Sequence, residues 1–268
     1  MSRIEGTTVL ITGGASGLGR RLGERLLEAG AGRLVIWDVD EGALEAVEGE
    51  LTPTGHRIAC ELVDVSSPDA VERGAAALRR RGIRVGLLVN NAGVVVGKPF
   101  SAHTTADVER TMRVNALAPM HVTRELLPDL RDGGGHVVNI ASAAGLVANP
   151  GMSVYCASKW AVIGWSESLR LELERDGAGV RVTTVAPYYI DTGMFAGVRS
   201  PVLPILRVDA VARRIVRAVE RDRAFLPLPR IVGLVPLLRG LLPTRWFDVV
   251  VGRWFGVYES MRSFRGRD

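Results

Sequence analysis

Short apolar runs alternate with longer helical patterns along most of the chain, and this alternation limits the possible folds most strongly. It predicts six strands, near residues 8–11, 34–37, 57–60, 85–89, 136–140 and 180–185. Helices are predicted near residues 18–30, 41–51, 68–81, 105–131, 153–175 and 208–222. Nearly continuous apolar strands separated by helices indicate a parallel sheet covered on both faces. We therefore predict a doubly wound (Rossmann) α/β fold, in which ligands bind at the carboxyl ends of the strands.

The length of 268 residues allows one large α/β domain. We predict that residues 1–229 form this domain. Within it, residues 187–207 contain three prolines and show no clear period, and a loop of this length in a compact domain is usually functional. Residues 230–268 are predicted to be an apolar, arginine-rich extension of the same domain.

Cysteine and histidine usage limits the chemistry of the chain. The two cysteines, Cys60 and Cys156, are too few for a disulfide scaffold. The four histidines do not have metal-ligand spacing, so we expect no metal site. The chain passes from Met1 almost directly into the first strand without a signal-peptide pattern, which predicts a cytoplasmic location.

The positive charge of the chain is concentrated near its C-terminus. The net charge is +5, and residues 223–268 hold eight arginines against three acidic residues, which accounts for the whole excess. Six of the fifteen aromatic residues lie in the last 23 positions. A basic segment on an otherwise neutral domain does not indicate nucleic-acid binding, and no nucleic-acid partner is predicted.

This basic and aromatic tail has three possible roles. It could cap a substrate pocket, pack on a partner subunit, or lie on a membrane surface with its aromatic side chains in the interface. Its apolar run is interrupted by Arg230, Pro236 and Arg239, so it is too short and broken to span a bilayer, which needs about 20 apolar residues.

A glycine-rich turn follows the first strand and precedes a helix. Glycines at such a position let the backbone approach a pyrophosphate, and the helix N-terminus supplies amide donors and a positive dipole. The sequence TGGASGLG at residues 12–19 therefore predicts a dinucleotide site that includes Gly13, Ser16, Gly17, Leu18 and Gly19.

Polar residues after the next strands extend this predicted cofactor site. Asp38 ends the second strand, 19 residues beyond Gly19, where a carboxylate can accept hydrogen bonds from ribose hydroxyls and repel a 2′-phosphate. Because no basic residue adjoins Asp38, we predict NAD rather than NADP as the cofactor. The residues expected at the same edge of the sheet are Asp64, Val65, Asn91, Ala92 and Gly93.

Tyr155 and Lys159 lie four residues apart in a predicted helix, so their side chains share one face. A nearby cation favours the phenolate, and this kind of tuning makes tyrosine a general acid or base. Only two of the 34 basic residues are lysines, Lys98 and Lys159. Arginine is forked and effectively always charged, so it cannot replace a compact ammonium group. The alternative interpretation is an ordinary surface pair on a helix.

The motifs together resemble those of a known enzyme family. Over residues 5–225 the chain resembles the short-chain dehydrogenase/reductase family, whose motifs match TGGASGLG at 12–19, NNAG at 90–93 and the tetrad Asn115, Ser142, Tyr155 and Lys159. The resemblance implies that Tyr155 is the general acid/base and that Lys159 lowers its pKa and holds the nicotinamide ribose. It further implies that Ser142 donates a hydrogen bond to the substrate oxygen and that Asn115, in the long helix, anchors a water for proton relay.

The sixth strand is followed by a departure from the family pattern. The family usually has Pro-Gly where this chain has Pro187-Tyr188, which leaves the backbone path of the loop open. Thr192 stands where the family's threonine holds the nicotinamide carboxamide, and Pro187 and Ile190 are assigned to the cofactor site by the same resemblance. LVIWD at 34–38 and PYYIDTGMF at 187–195 are similar to the branch that contains retinol dehydrogenases and 17β-hydroxysteroid dehydrogenase-like enzymes.

The predicted function is hydride transfer between NAD(H) and a lipophilic alcohol or ketone of retinoid, steroid or long-chain type. One alternative is an NADH-dependent reductase of a ketone or acyl intermediate, and another is a non-catalytic protein that senses the nucleotide. A serine hydrolase is excluded because no G-x-S-x-G motif occurs. The resemblance also implies a homodimer or homotetramer that pairs through the helices near 105–131 and 153–175.

Overall fold

The computed structural model describes residues 4–200, 202–254, 256–261 and 264–266. Within these residues, seven parallel strands form one sheet in the order β3-β2-β1-β4-β5-β6-β7. The strands are β1 (Thr8–Thr12), β2 (Arg33–Asp38), β3 (Ile58–Leu62), β4 (Leu87–Asn90), β5 (His136–Ile140), β6 (Arg181–Pro187) and β7 (Phe225–Leu228). The predicted doubly wound fold is confirmed.

The helices follow the strands in regular alternation. They are α1 (Gly17–Glu28), α2 (Glu41–Leu51), α3 (Pro68–Arg80), α4 (Thr105–Met112), α5 (Ala118–Gly133), α6 (Ser153–Arg175), α7 (Val208–Glu220), α8 (Val235–Leu241) and α9 (Thr244–Phe247). Several begin at sequence-encoded caps: the Asp40 side chain accepts a hydrogen bond from the backbone N–H of Ala43 at the start of α2, and Thr104 with Asp107 forms a capping box for α4.

Two apolar clusters cover the two faces of the sheet. Alternate residues of β1 point to opposite sides, so Val9 and Ile11 pack with α1 and α7, while Leu10 packs with α3 and α5. All of these side chains are buried because both faces of a parallel sheet carry helices. The strand order reverses between β1 and β4, and the crevice at this point opens at the carboxyl ends of the strands.

Two features of the backbone differ from the sequence-based expectation. Strand β7 was not predicted; it has four residues, contains Pro227, and pairs with β6 only, and proline is tolerated on such an edge strand. The single helix predicted at 105–131 consists of α4 and α5 with a π-helical turn at Arg113–Leu117 between them. Such turns are frequent at functional sites, and this one contains Asn115.

The chain after β7 forms several short elements. A 3₁₀ turn at Arg230–Leu234 leads into α8 and α9, followed by a π-helical segment at Asp248–Trp254 and a 3₁₀ turn at Val257–Glu259. Phe247, Val251 and Val257 from these elements pack on Val147, which lies in the loop after β5. Among the described residues, no helix is both long enough and apolar enough to cross a membrane.

Candidate active site

The glycine-rich turn after β1 is fastened to the end of β4 by hydrogen bonds. Thr12 Oγ1 accepts from the backbone N–H groups of Asn91 and Ala92, at 3.0 and 3.1 Å. In return, Asn91 Nδ2 donates to the carbonyl oxygens of Thr12 and Gly13, at 3.0 and 2.8 Å. The NNAG segment therefore fixes the path of the turn that sequence predicted to bind the dinucleotide.

Glycine is required at two positions of this turn. Gly13 has a φ of 63°, a left-handed conformation that side chains disfavour, and a Cβ there would lie 2.8 Å from Cα of Ala92. A Cβ at Gly19 would overlap the carbonyl oxygen of Gly13 and lie 2.5 Å from Nδ2 of Asn91. Gly19 therefore contributes close packing beneath the turn and does not line the cleft.

Asp38 is held at the end of β2 by backbone amides. Its Oδ2 accepts from the N–H of Ala15 at 3.0 Å, and its Oδ1 accepts from the N–H of Val39 at 2.8 Å. None of the ion pairs in the described residues involves Asp38. The carboxylate thus faces the cleft with its charge uncompensated by a side-chain cation.

A single cleft of about 930 Å³ connects this end of the sheet with Tyr155 and Lys159. Fifteen of the residues predicted for the cofactor site line it, which leaves only Gly19 out: Gly13, Ser16, Gly17, Leu18, Asp38, Asp64, Val65, Asn91, Ala92, Gly93, Tyr155, Lys159, Pro187, Ile190 and Thr192. Of the other two predicted catalytic residues, Ser142 lines the cleft and Asn115 does not.

Asn115 lies directly behind the cleft wall, in the π-helical turn. Its Oδ1 accepts from the N–H of Val94 at 2.8 Å, and its Nδ2 donates to the carbonyl of Val94 at 2.8 Å and to Ser158 Oγ at 3.2 Å. The side chain is fully buried. A Cβ at Gly93 would lie 3.4 Å from Asn115 Oδ1 and 3.8 Å from Lys159 Nζ, so Asn115 and Lys159 flank the same glycine.

Ser142, Tyr155 and Lys159 meet at the middle of the cleft. Tyr155 and Lys159 share one face of α6, and the Lys159 ammonium lies 5.7 Å from the centre of the Tyr155 ring. Lys159 Nζ donates to the carbonyl of Ile140 at 2.9 Å, which aims it at the end of β5. Ser142 follows β5 after one residue, and its hydroxyl accepts from the N–H of Ala144 at 3.1 Å.

Burial controls the ionisation of this group. Desolvation raises the pKa of Tyr155 above its ordinary value, and a hydrogen bond with Ser142 lowers it by a smaller amount. Burial lowers the pKa of Lys159 to about 8. Burial has the largest effect on the pKa of Tyr155, and the Lys159 ammonium donates to a backbone carbonyl, so the lowering of this pKa by Lys159 stays a prediction.

The loop after β6 continues the sheet before it turns away. The Tyr188 N–H donates to the carbonyl of Leu228 at 2.7 Å, so the Pro187-Tyr188 departure from the family pattern extends the pairing with β7. Ile190 forms an isolated parallel bridge with Leu206. This loop brings Tyr188 and Phe195 to the cleft, and the Phe195 ring packs edge-on against Tyr155 with 6.0 Å between ring centres.

Several cleft residues were not singled out in the sequence. Val94–Gly97, Arg110, Val114, Met194 and Phe195 line the cleft, and so do Phe264, Arg265 and Gly266 from the C-terminus. A Cβ at Gly97 would overlap the Phe264 ring and lie 2.7 Å from Cε of Met261. From the sequence, the capping of a substrate pocket was one possible role of the tail, but no periodicity indicated which tail residues reach the cleft.

The cleft has the features that a nicotinamide dinucleotide requires. Its volume lies within the range of about 300–1,000 Å³ typical of ligand sites. Helix α1 begins at the glycine-rich turn without a side-chain cap and without an acidic residue in its first turn, so its dipole favours an anion there. Asp38 lies at one end of the cleft, where it can accept hydrogen bonds from the adenosine ribose, and Lys159 lies at the other end, beside Tyr155. The residues present therefore fit a nicotinamide dinucleotide.

Among the described residues, no group of three or more histidine, cysteine, aspartate or glutamate side chains is placed to hold a metal ion. Cys156 follows Tyr155 but is buried, and burial raises the pKa of its thiol. Cys60 is also a free thiol, with its pKa raised by burial to about 11. Neither thiol has the lowered pKa of a reactive cysteine.

Comparison with known proteins agrees with this geometry. Residues 7–202 match the short chain dehydrogenase family. Epidermal retinol dehydrogenase 2 of Mus musculus is 33% identical over 270 residues, which cover 98% of this chain and 87% of that protein. Short-chain dehydrogenase/reductase 3 of Homo sapiens is 35% identical over 263 residues, which cover 97% of this chain and 86% of that protein.

Solved structures give the same result. A short chain dehydrogenase/reductase from Burkholderia phymatum, in complex with NAD, superimposes with a TM-score of 0.80 at 29% identity, covering 94% of this chain and 97% of that one. A short chain dehydrogenase from Burkholderia cenocepacia, in complex with NADP, also gives 0.80, at 27% identity, covering 93% of this chain and 99% of that one. Both nicotinamide cofactors thus occur among similar structures.

Proposed function

Because the chain belongs to the short-chain dehydrogenase family, in its retinol dehydrogenase-like branch, we propose that it interconverts a lipophilic alcohol and the corresponding carbonyl compound with NAD(H). The protein is a nicotinamide-dependent alcohol dehydrogenase or reductase. The observation that carries the proposal is one cleft in which Ser142, Tyr155 and Lys159 stand between a dinucleotide site and an apolar wall.

Tyr155 is proposed as the group that exchanges a proton with the substrate oxygen. The cofactor supplies or accepts the hydride at the neighbouring carbon. Because burial raises the pKa of Tyr155, the phenol is neutral near pH 7 and can donate its proton to a carbonyl oxygen during reduction. In the oxidative direction the same oxygen receives the proton of the alcohol, and a positive charge on Lys159 favours this form.

Ser142, Lys159 and Asn115 are proposed as supporting groups. The Ser142 hydroxyl interacts with Tyr155 and lines the cleft, so it can donate to the same substrate oxygen as negative charge develops there. Lys159 would also hold the nicotinamide ribose. Asn115 contacts Val94 and Ser158 in the structure, which fixes the backbone behind Gly93, and its role in anchoring a relay water is proposed from the family resemblance.

NAD(H) is proposed as the preferred cofactor because of Asp38. A 2′-phosphate beside this carboxylate would bring two negative charges together, whereas ribose hydroxyls can donate hydrogen bonds to it. The second strand brings Asp38 to the cleft, and Ala15 and Val39 hold its oxygens in place.

A lipophilic substrate is proposed from the wall opposite the dinucleotide site. Phe195, Met194 and Phe264 line this part of the cleft, and the Val94–Gly97 segment borders it. Burying apolar substrate surface here contributes about 25 cal/mol per Å². Two of the relatives described above are named for retinol or for the enzyme class, which is consistent with a retinoid-like alcohol.

Peripheral membrane contact is proposed for the outer face of α8 and the segment after it. Leu237, Leu241, Trp246 and Trp254 are all more than half exposed, with Leu241 at 70% and Trp254 at 72%. Arginines interrupt this apolar surface, and a basic, aromatic surface suits an anionic membrane interface. Co-sedimentation with vesicles containing phosphatidylserine, at low and high salt, tests this, and Leu241→Glu should reduce the bound fraction.

A homo-oligomer is proposed through the faces of α5 and α6. Leu117, beside the start of α5, is 43% exposed, and Leu171 on α6 is 56% exposed. Light scattering after gel filtration should give the mass of a dimer or tetramer. Leu171→Arg should shift the population toward monomer, because a charge in an apolar contact is poorly solvated.

The test of the proposed activity is a substrate screen. The purified protein is mixed with NAD⁺ and a panel of retinoid, steroid, long-chain and short alcohols, and formation of reduced nicotinamide is followed by absorbance. The corresponding carbonyl compounds are tested with NADH. We expect turnover of lipophilic substrates. Tight binding of NADH without turnover of any substrate in either direction would instead support a nucleotide-sensing protein.

A further inference from the structure

Three buried polar side chains from distant parts of the sequence meet beside the cleft. Asn149 lies in the loop after β5, Tyr189 lies in the loop after β6, and Ser260 lies near the C-terminus. Their exposed fractions are 7%, 7% and 1%. The Asn149 amide is 2.9 Å from the Tyr189 hydroxyl and 3.0 Å from the Ser260 hydroxyl, and the two hydroxyls are 2.8 Å apart.

The cluster also engages the backbone of the C-terminal chain. With the Asn149 amide oriented so that Oδ1 accepts from both hydroxyls, its nitrogen lies 3.1 Å from the carbonyl oxygen of Val257 and donates to it. Ser260 Oγ lies 2.7 Å from the same carbonyl, so the single proton of this hydroxyl is shared between the Val257 carbonyl and Asn149 Oδ1. Burial raises the pKa of Tyr189 to about 12, so the phenol stays protonated and remains a donor near neutral pH.

Burying a polar group costs free energy unless the group is hydrogen-bonded, so this cluster specifies one docked position of the C-terminal chain. If the C-terminal chain moved away, Asn149 and Tyr189 would lose their shared partner Ser260. Two backbone bonds hold the same segment: the Arg199 N–H donates to the carbonyl of Ser260 at 3.2 Å, and the Arg265 N–H donates to the carbonyl of Ala196 at 2.9 Å. We call residues 256–261 and 264–266 the closing segment.

The cluster is connected to the catalytic tyrosine through two aromatic contacts. The Tyr189 ring meets Phe195 edge-on with 5.1 Å between ring centres, and Phe195 meets Tyr155 in the same way at 6.0 Å. A small cavity of about 30 Å³ runs beside this row, from Ser142 to Val257 of the closing segment. Tyr189 therefore contacts both the closing segment and the wall of the reaction site.

The closing segment itself reaches the cleft on the far side of this cluster. Met261 packs with Tyr155 and Phe195, while Phe264 covers Gly97 at the cleft border. Phe264, Arg265 and Gly266 line the cleft. The position of Ser260 thus determines where these side chains stand relative to the substrate.

We propose that Asn149, Tyr189 and Ser260 form a latch that docks the closing segment over the substrate side of the cleft, and that Tyr189 is a positioning residue for long substrates. The proposal rests on the proposed function for its substrate class. The latch acts through Phe195 and Phe264, which line the cleft, and through Met261, which packs on Tyr155 and Phe195. The latch groups take no part in proton or hydride transfer.

Tyr189→Phe and Ser260→Ala test the latch, because each removes one hydroxyl and keeps the packing nearly unchanged. For each variant, kcat/KM for a long-chain or retinoid alcohol should fall relative to that for a short alcohol by about tenfold, the effect expected for leaving buried partners unsatisfied. The loss should appear mainly in KM. The double variant should fall by about as much as either single variant, because both changes break the same cluster.

Tyr258→Phe is the matched control. Its hydroxyl bonds to Asp248 within the tail and does not link the tail to the body of the enzyme. This variant also loses one tyrosine hydroxyl, which is partly buried. It should keep the wild-type ratio of kcat/KM for the long alcohol to that for the short alcohol. A similar fall in this ratio for Tyr258→Phe would overturn the proposal, because the lower ratio would then come from a general loss of stability in the tail.

Hydrogen exchange gives a readout that needs no substrate. The Arg265 amide, which is bonded to Ala196, should exchange at least about tenfold faster in Tyr189→Phe and Ser260→Ala than in wild type or Tyr258→Phe. Faster exchange supports the latch even if the screen finds no turnover, an outcome that would count against the proposed function alone. Unchanged exchange in both latch variants overturns the latch, whatever the substrate proves to be.

Discussion

The cofactor half of the cleft and its substrate half are built in different ways. The cofactor half is formed where β1, β2 and β4 end, and its contacts join short turns that follow directly from these strands. The substrate half is formed by the loop after β6, the loop after β5 and the closing segment, which lie far apart in sequence. The first half is part of the sheet, and the second is assembled against it.

The difference assigns separate tasks to the two halves. The side chains of Thr12 and Asn91 hold the glycine-rich turn, and backbone amides hold Asp38, so a change in the cofactor half alters this close backbone fit or the charge of Asp38. Aromatic and aliphatic side chains form the substrate half, so its shape can vary without disturbing the sheet. This arrangement lets one scaffold keep its chemistry while its substrate changes.

The largest effect is expected at Tyr155, where the two halves meet. Tyr155→Phe removes the hydroxyl and keeps the ring that packs on Phe195. Turnover should fall by about 10³-fold or more, since positioned proton transfer contributes about 10²–10⁴-fold. NADH affinity, measured by fluorescence titration, should stay within about threefold of wild type, because only the substrate oxygen loses its partner. Activity within tenfold of wild type would remove Tyr155 from the mechanism.

A backbone change should break the cofactor half alone. Gly19→Ala places a methyl group against the Gly13 carbonyl and Asn91, so the turn must shift, and NADH affinity should fall about 100-fold, which corresponds to about 2.7 kcal/mol. Gly49→Ala is the matched control, because its new methyl group meets nothing within 4 Å. That variant should bind NADH normally and gain about 0.4–1 kcal/mol of stability. Equal affinity in the two variants would contradict the role of close packing at Gly19.

The pH dependence should differ between the two reaction directions. The pKa of Tyr155 is raised, so the phenol is protonated at ordinary pH and only a small phenolate fraction exists, which grows about tenfold per pH unit. Oxidation should therefore accelerate from pH 6 to 8, while reduction, which uses the phenol, should change little. Initial rates at saturating cofactor measure this. A reductive rate that drops tenfold over this range would mean that Tyr155 ionises near neutral pH.

The cofactor preference should depend on the charge of Asp38. Asp38→Asn keeps the size of the side chain and removes its charge. The ratio of kcat/KM with NAD⁺ to kcat/KM with NADP⁺ should then fall by about tenfold. A tenfold change corresponds to about 1.4 kcal/mol, the size of one modest charge contact. Glu41→Gln is the control, because Glu41 also carries a carboxylate near the start of α2 but does not line the cleft. A wild-type enzyme that prefers NADP⁺ would refute this interpretation of Asp38.

The sequence predicted which residues would gather where β1, β2 and β4 end, and the reason is physical. Strand ends, glycine turns and the spacing of Asp38 are local features, so they remain visible in one chain without its fold. Pro227 in β7 and the π-helical turn at Asn115 were missed, because a short edge strand and a one-residue bulge leave no periodic signal. The pKa shift of Tyr155 was also missed, since it depends on burial that only packing reveals.

The sequence predicted the substrate half only in general terms. The apolar, basic composition of the tail indicated contact with a pocket, a subunit or a membrane, but not which residues would contact which. Val257 and Phe264 reach the site, whereas Leu241 and Trp254 remain exposed. In the proposed latch this division depends on Asn149, Tyr189 and Ser260. The hydrogen bond between Asn149 and Ser260 joins residues more than 100 positions apart, and no local sequence pattern encodes it.

The independence of the two halves is tested most directly by deleting residues 257–268. The dissociation constant of NADH and the values of kcat/KM for a long and a short alcohol are measured on this variant, after circular dichroism has established that it folds. NADH affinity should remain within about threefold of wild type, and kcat/KM should fall at least about tenfold more for the long alcohol, because the lost apolar wall contributes about 25 cal/mol per Å² of contact. An unchanged substrate profile, or a loss of NADH affinity as large as the loss of substrate specificity, would contradict the account.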